Sequence, residues 1–537
     1  MFDKLIKNAF VVDGSGEPEY RGDIAIKDGK IIVNPENSDN EACANEVIDA
    51  TGLVLCPGFI DAHCHEDETL GNYASSLSKV SQGITTVCAG HCGESVFPIS
   101  TNPKNAELFR QNRGGFLAAP DCGYKEEING FTSFEKYLEY ASKRNVPLNY
   151  TMFTGHIPLR IATMGFENRR PTEKELDEMK ALLRETLEHG SRGLSIGLIY
   201  SPSCYSEKEE LIELCRVVAE YQGFLAVHLR NEAGDFENSM QEAIDIARAA
   251  GCALNLSHHK ACGKENWGKT KKTLQMIKDA KAEGMEIYTD VYPYLATGNY
   301  LNICLPKEFF AEGPERAAKK LKDPEVRAQM KEAILSNPEG RYRNCGGFEN
   351  ITICSAPFTP EAMGRTVAAY AASLGKDEFE TYFDLCVANG DAAQAAYLAM
   401  CDEDLERCLL DENAVICTDS YDISESNTVH PRAFGSFPLC LGKYVREKKL
   451  MSLEAMIHRM SGRTAQFLHL GNKGLIRNGY DADLVLFNPD TVNATSDFSN
   501  TRSLSEGIEK VFVAGHVVYE NKDLTGNYPG RFLPFKA

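Results

Sequence analysis

Histidine is scarce in this 537-residue chain, with twelve copies, and several stand just past a short apolar run. His63 and His65 follow Pro57-Gly58-Phe59-Ile60-Asp61 and are separated by one residue. Residues two apart on an extended segment point to the same side, so both imidazoles can address one metal ion. Further along, Ile84-Thr85-Thr86-Val87 leads to His91 and Cys92. Residues 224–227 lead to His228, 253–256 to His258, His259 and Lys260, and 414–417 to Asp419. Imidazole, thiolate and carboxylate together form a donor set that suits zinc. Zinc acidifies a bound water toward neutral pH and polarises a carbonyl, the chemistry of metal-assisted hydrolysis. Read singly, Cys92 is more naturally a packed thiol and each later histidine fits a hydrogen-bonded core residue as well as a ligand, whereas the His63–His65 pair after an apolar strand reads as ligands. Counting does not choose between His258 and His259.

Shared register changes that reading. The middle of the chain alternates short apolar runs with amphipathic helical patterns, for example 173–189, 207–221 and 236–250. Candidate strands lie at 54–60, 84–88, 148–153, 193–196, 224–227, 253–256, 286–291 and 414–417. Strands alternating with helices predict βα units and a parallel sheet, and eight such strands fit a (β/α)₈ barrel. In that fold the C-terminal strand ends meet at one face, where catalysis occurs. The histidines, Cys92 and Asp419 would converge there.

The two chain ends read as a small β-sandwich, expected over 1–56 together with 473–537, around a barrel over 57–472. Asp28-Gly29 between 24–26 and 31–33 is a hairpin signal. The gap between the seventh and eighth strands is too long for one helix, so 297–355 is expected as an insertion and as a lid over the barrel mouth.

Composition narrows the function. With 57 basic against 77 acidic residues the formal net charge is −20, which argues against a nucleic-acid partner. No apolar leader and no run near the ~18 residues of a membrane span is visible, so a cytoplasmic protein without a membrane partner is expected. Eighteen cysteines without a single CxxC pair read as reduced thiols, mostly small packing residues such as Cys56, Cys64, Cys88 and Cys417.

With these residues in view, the sequence resembles the N-acyl-D-amino-acid deacylases of the amidohydrolase superfamily, over essentially the whole chain. The motifs are PGFIDAHCH at 57–65, QGITTV with HCG at 82–93, GHIPLR at 155–160, GLSIGLIYSP at 193–202, HLRNE at 228–232 and SHHKACGKENWGKT at 257–270. DVYPY at 290–294, HPRAFGSFP at 430–438 and GLIRNGYDADLVLFNP at 474–489 complete them. The resemblance implies that His63, His65 and Asp419 ligate one metal position. It implies that Cys92, His228 and His258 hold the other, a tightly bound zinc, with a second metal optional. Cys92 then replaces a bridging lysine, and 193–197 indeed offers none. Asp419 is implied as general base and then acid, and Lys260, Tyr292 and Arg432 as the groups that hold the carboxylate of a small anionic N-acyl amino acid. His91, His259 and His430 fall behind the ligands, His91 alternatively as an extra ligand. Trp267 is expected as a loop anchor, and Glu232 as an ion-pair partner of Arg230.

Three departures surround the expected pocket: His91 where Asn is usual, HIPLR where a Gly-Thr pair is common, and Ser420-Tyr421-Asp422 where Gly follows the aspartate. They concern side-chain and acyl specificity and leave every ligand in place. A cyclic amidase or dipeptidase, a deaminase and a non-catalytic barrel fit the motifs less well.

Overall fold

The computed structural model describes residues 1–36, 43–67, 69–112, 130–421 and 429–536. Strands from both chain ends form one nine-stranded sheet. Its path runs Asp523–Leu524, His516–Glu520, Ile508–Val513, Leu484–Phe487, Val54–Pro57, Phe2–Val11, Tyr20–Lys27 and Lys30–Val33, with Ala44–Asp49 also beside Phe2–Val11. The two layers expected of a sandwich thus belong to one continuous path. Side chains alternate across it. Leu55, Leu484 and Leu486 enclose a core with Ile6, Ile24 and Phe512. Val54, Cys56 and Val485 face the other way, onto Phe59, Ile84 and Val87 of the next unit. The Asp28-Gly29 hairpin forms as expected: both residues have positive φ, 51° and 71°, and Lys27 pairs with Lys30.

Eight parallel strands make the second unit: Phe59–Asp61, Ile84–Ala89, Asn149–Met152, Gly193–Gly197, Phe224–His228, Ala253–Leu256, Ile287–Val291 and Ala414–Ile416. The first three pair with one another, and the last five pair in sequence, starting from the short Thr154–Gly155 extension of the third. The ring closes through the Ala62 amide to the Ile416 carbonyl at 3.4 Å and the Asp419 amide to the His63 carbonyl at 2.8 Å. Strands one to eight therefore follow the order of the chain. The expected first strand, 54–60, is divided: Val54–Pro57 belongs to the terminal sheet and Phe59–Asp61 to the barrel. Gly58 makes the division. A Cβ there would lie 2.1 Å from Thr85 Oγ1, so only glycine lets the chain pass from one sheet to the other.

The C-terminal tail closes the N-terminal end of the barrel. Tyr150 exchanges backbone hydrogen bonds with Arg531 and Leu533, and the Phe535 amide donates to Gly190 at 2.9 Å. The buried Arg192 guanidinium ties this plug to the barrel through Thr151 Oγ1 at 2.6 Å and the Leu533 carbonyl at 3.1 Å. Between strands seven and eight the chain adds an antiparallel three-stranded sheet, Ala296–Tyr300, Gln394–Leu398 and Ile351–Ser355. Its central strand is Gln394–Leu398, so the elaboration reaches beyond residue 355. Trp267 anchors its loop to this sheet by an Nε1 hydrogen bond to the Ala399 carbonyl at 3.2 Å. Among the described residues no helix is long and apolar enough to cross a membrane.

Gly58→Ala is expected to destabilise the protein by about 1–3 kcal/mol through overpacking against Thr85. The midpoint of urea unfolding, followed by far-UV circular dichroism, should fall; an unchanged midpoint would show that the crossing tolerates a side chain.

Candidate metal centre and active site

The candidate donors stand at the C-terminal ends of five strands. His63 and His65 follow strand one, Cys92 follows strand two, His228 ends strand five, His258 follows strand six and Asp419 follows strand eight. One donor atom from each of His63, Cys92, His258 and Asp419 lies within 4.8 Å of every other, and all four residues are buried. Cys92 Sγ is 3.3 Å from His63 Nε2 and 3.4 Å from His258 Nε2. Asp419 Oδ1 is 3.3 Å from His63 Nε2 and 3.5 Å from His65 Nε2. His228 Nδ1 lies 2.9 Å from His258 Nε2. His65 Nε2 and Asp419 Oδ1 are buried without a well-formed hydrogen bond. Buried polar atoms normally have partners, so donors of these types, unsatisfied and convergent, fit a metal ion.

The backbone is bent to this end. Cys92, His258 and Asp419 have φ of 56°, 37° and 46°, in the left-handed region that residues with a Cβ rarely enter. Strand four makes room for the first of these bends: a Cβ on Gly197 would lie 2.0 Å from the Cys92 carbonyl oxygen. Burial pushes the Cys92 thiol up, but His63 and His258 beside it pull it well below its ordinary range, toward thiolate. Burial likewise opposes ionisation of Asp419, while Arg432, His63 and His258 hold its carboxyl well below the usual carboxylate range.

Behind the donors lies Asp290, at the end of strand seven. Its Oδ1 accepts from His63 Nδ1 at 3.0 Å, the His258 amide at 2.7 Å and Cys417 Sγ at 3.3 Å; its Oδ2 accepts from Asn255 Nδ2 at 2.7 Å. With Nδ1 donating, His63 turns its Nε2 lone pair toward Cys92 and Asp419. Asp290 is the first residue of the DVYPY motif and is absent from the site residues expected from sequence. A carboxylate one residue before a strand end was the available signal. Cys417, read as packing, also donates to this carboxylate.

The neighbouring histidines separate by position. His258 points inward, whereas His259 turns outward, 3.0 Å from Thr273 Oγ1 and beside Phe236; burial pushes its pKa down to about 4. His91 stacks on His63 at 4.0 Å between ring centroids and meets Phe153 edge-on. His430 lies further out, with Nε2 3.1 Å from the Ala296 carbonyl and Nδ1 accepting the Arg432 amide at 3.1 Å. Glu232 does pair, but with Lys260 at 2.5 Å and not with Arg230, which Glu242 and two backbone carbonyls hold instead.

Lys260, Tyr292 and Arg432 come together at the rim of the donors: both cations lie over the Tyr292 ring, at 5.8 and 4.7 Å. Lys260 Nζ donates to Glu232 Oε1 and to the His258 carbonyl at 3.0 Å, and the same Glu232 oxygen lies 3.1 Å from His258 Nδ1, whose proton it can accept, leaving the Nε2 lone pair to the donor cluster. Arg432 Nη1 donates to Asp419 Oδ2 at 2.7 Å, while its Nε has no partner. Tyr421, outside the sequence reading as a site residue, stacks on His65 at 4.2 Å; Asp422 and the residues up to 428 lie outside the described residues. Next to the donors opens a cavity of about 400 Å³, bounded on the metal side by Tyr200, Glu232 and Arg341. The elaboration supplies its far wall through Asn302, Ile303 and Leu305.

Comparison with known proteins agrees with this architecture. The amidohydrolase family model matches residues 46–333 and 415–519, and the chain belongs to that family. It is 33% identical to an N-acyl-D-aspartate deacylase of Alcaligenes xylosoxydans xylosoxydans, over 99% of this chain and 95% of the relative. The crystal structure of an N-acyl-D-glutamate deacylase from Bordetella bronchiseptica, complexed with zinc and a phosphonate mimic of the tetrahedral intermediate, superimposes with a TM-score of 0.81. It is 29% identical, and the match covers 99% of this chain and 100% of that one. A D-aminoacylase studied for its binuclear metal centre, with one-metal activation and second-metal attenuation, gives a TM-score of 0.80 at 29% identity with full coverage of both chains.

Removing the carboxylate behind His63 should loosen the metal. Asp290→Asn is expected to weaken divalent-metal affinity about 10–100-fold, read by competition with a chromogenic chelator. Wild-type affinity would remove Asp290 from the support of the centre.

Proposed function

We propose that the chain is a zinc-dependent deacylase of N-acyl-D-amino acids, cleaving the amide with water to give a carboxylate and the free D-amino acid. The observation that carries this reading is the convergence of buried His63, His65, Cys92, His228, His258 and Asp419 donors beside the Arg432 guanidinium. The stereochemical class follows the full-length likeness to deacylases of N-acyl-D-aspartate and N-acyl-D-glutamate. When bound, zinc supplies an acidified water and polarises the amide carbonyl. His63, His65 and Asp419 bound one side of the donor cluster, and Cys92, His228 and His258 the other. The pinning of His63 by Asp290 and of His258 by Lys260 and Glu232 keeps these donors in place without reorganisation.

Asp419 carries the proton. Its Oδ1 faces the donors and its Oδ2 is held by Arg432, so it takes a proton from the attacking water and hands it to the leaving nitrogen as the C–N bond breaks. Arg432 turns its remaining donors to the α-carboxylate of the substrate. Lys260 adds positive potential there while its own hydrogen bonds stay with Glu232 and His258. Tyr292 forms the floor beneath both.

The adjoining cavity takes the side chain. Ile157, Phe166, Leu198, Ile303 and Leu305 give it an apolar lining. Five carboxylates border it (Glu94, Glu232, Glu308, Glu339 and Asp391) against three cations (Arg230, Arg341 and Lys307). Arg230 is already paired with Glu242 and Arg341 approaches Glu232, while Lys307 is exposed. An acidic side chain would lose its hydration to a lining of like charge, so neutral, bulky residues such as leucine, methionine and phenylalanine fit better.

In a panel of N-acetyl amino acids assayed for free amine, the D-leucine, D-methionine and D-phenylalanine derivatives should exceed D-aspartate and D-glutamate by about tenfold or more in kcat/KM. The L-enantiomers should be poor substrates, and a panel without any D-specific turnover would sink the deacylase reading. Purified protein should contain zinc, which Cys92→Ala loses. Asp419→Asn should keep the fold while kcat falls about 10²–10⁴-fold; turnover near wild type would take the proton from Asp419.

A further inference from the structure

The helix Tyr73–Val80 sends one charged side chain into the barrel wall, far from any solvent: Lys79 is 1% exposed. Its ammonium has three N–H donors and meets three acceptors, Asp61 Oδ2 at 2.7 Å, Thr418 Oγ1 at 2.7 Å and Ser420 Oγ at 2.6 Å. Glu66 Oε1 adds a second carboxylate at 3.3 Å. Burial works against the charge of Lys79, and Asp61 with Glu66 more than offsets it, so the lysine stays protonated.

These partners are not scattered. Thr418 and Ser420 flank Asp419, and Asp61 and Glu66 flank the His63–His65 segment. The same network continues through the backbone. Asp61 Oδ1 accepts the Thr418 amide at 2.9 Å, the Ser420 carbonyl accepts the His65 amide at 3.0 Å and the His63 carbonyl accepts the Asp419 amide at 2.8 Å. Ser420 Oγ in turn donates to Glu66 Oε1 at 3.2 Å. One ammonium thus clasps strand one to the loop after strand eight, where the barrel closes. The residue at the centre of that loop, Asp419, has the unfavourable φ of 46°. Strain of this kind persists only where surrounding contacts over-determine it.

We infer that Lys79 is a positioning residue for Asp419: through the Thr418 and Ser420 hydroxyls and Asp61 it holds the strained loop in the geometry that aims the Asp419 carboxylate at the donors of strand one. The inference rests on the reading of Asp419 as the proton carrier. Lys79 touches neither metal donors nor substrate, and its effect on turnover passes wholly through the loop.

The test uses the full chain. Lys79→Met alone leaves Asp61 and Glu66 buried without their cation and is prone to misfold. The informative variants are therefore Ser420→Ala, Thr418→Val, the hydroxyl-retaining Thr418→Ser, and the charge-balanced Lys79→Met/Asp61→Asn pair. Amide hydrogen exchange of the peptide covering 414–421, measured on metal-free protein, should be about tenfold faster or more in Ser420→Ala, Thr418→Val and the double variant, and close to wild type in Thr418→Ser. In zinc-loaded protein the same three variants should lose about 10–100-fold in kcat with KM and zinc content little changed, and Thr418→Ser should restore most of it. Unchanged exchange, kcat within about twofold of wild type, or activity lost only in step with zinc would each overturn the inference. Should Asp419→Asn keep full turnover, the proton-carrier reading fails instead, while the exchange rates still decide whether Lys79 holds the loop.

Discussion

Everything at the open end of the barrel hangs on the carboxylate of Asp290. It is fully buried and accepts four hydrogen bonds, from His63, the His258 backbone, Cys417 and Asn255. A buried charge is tolerated only when it is paired and hydrogen-bonded to this degree. The partners come from strands one, six and eight, so a single residue on strand seven sets the relative positions of donors that are nearly 200 residues apart in sequence. The left-handed backbone of His258 is part of the same interaction: its amide can reach Asp290 Oδ1 only because the chain turns sharply after Leu256.

The rest of the fold makes that end the open one. At the opposite end the C-terminal tail lies against strand three and the start of strand four, and the rings of Phe224, Phe467 and Phe535 pack together over the opening. The terminal sheet covers the barrel flank with one face and closes its own core with the other. Conserving this division needs the chain to leave one sheet and enter the other within a residue, which is the task of Gly58. Barrel folds place stability at the N-terminal face and chemistry at the C-terminal face, and here the two are built from different parts of the chain.

Much of this was legible in the sequence, because strand ends carry simple signals. The HxH spacing after an apolar run, the eight-strand alternation and the Asp28-Gly29 turn depend on local periodicity, which a single chain displays. The divided strand at 54–60 was not legible, since one apolar run spans both sheets and only the approach of Thr85 shows why glycine separates them. The expected Glu232–Arg230 pair joins near neighbours, but Lys260, one strand further along the chain, competes better at 2.5 Å. Asp290 and Lys79 were silent for the same reason. A buried charge announces itself through its partners, and those of Lys79 lie up to 341 residues away. His258 and His259 likewise differ in direction, since the turn at φ 37° sends one ring inward and the other to Thr273.

Lys260 and Arg432, the two cations that the resemblance implies for a substrate carboxylate, are differently engaged. Lys260 donates to Glu232 and to the carbonyl of His258, and Glu232 Oε1 in turn lies 3.1 Å from His258 Nδ1, so the lysine supports a donor side chain more than it offers itself to a ligand. Arg432 keeps part of its fork, and the elaboration between strands seven and eight is shaped around it. A Cβ on Gly298 would lie 2.6 Å from Arg432 Nη2, and the carbonyl of Ala296, in the same strand, fixes the His430 ring that receives the Arg432 amide. The barrel therefore assembles the donors, while the elaboration borders the guanidinium with its sheet and walls the neighbouring cavity with the segment after Tyr300. Changes in that sheet can therefore reshape the surroundings of Arg432 and of the cavity without disturbing a single donor.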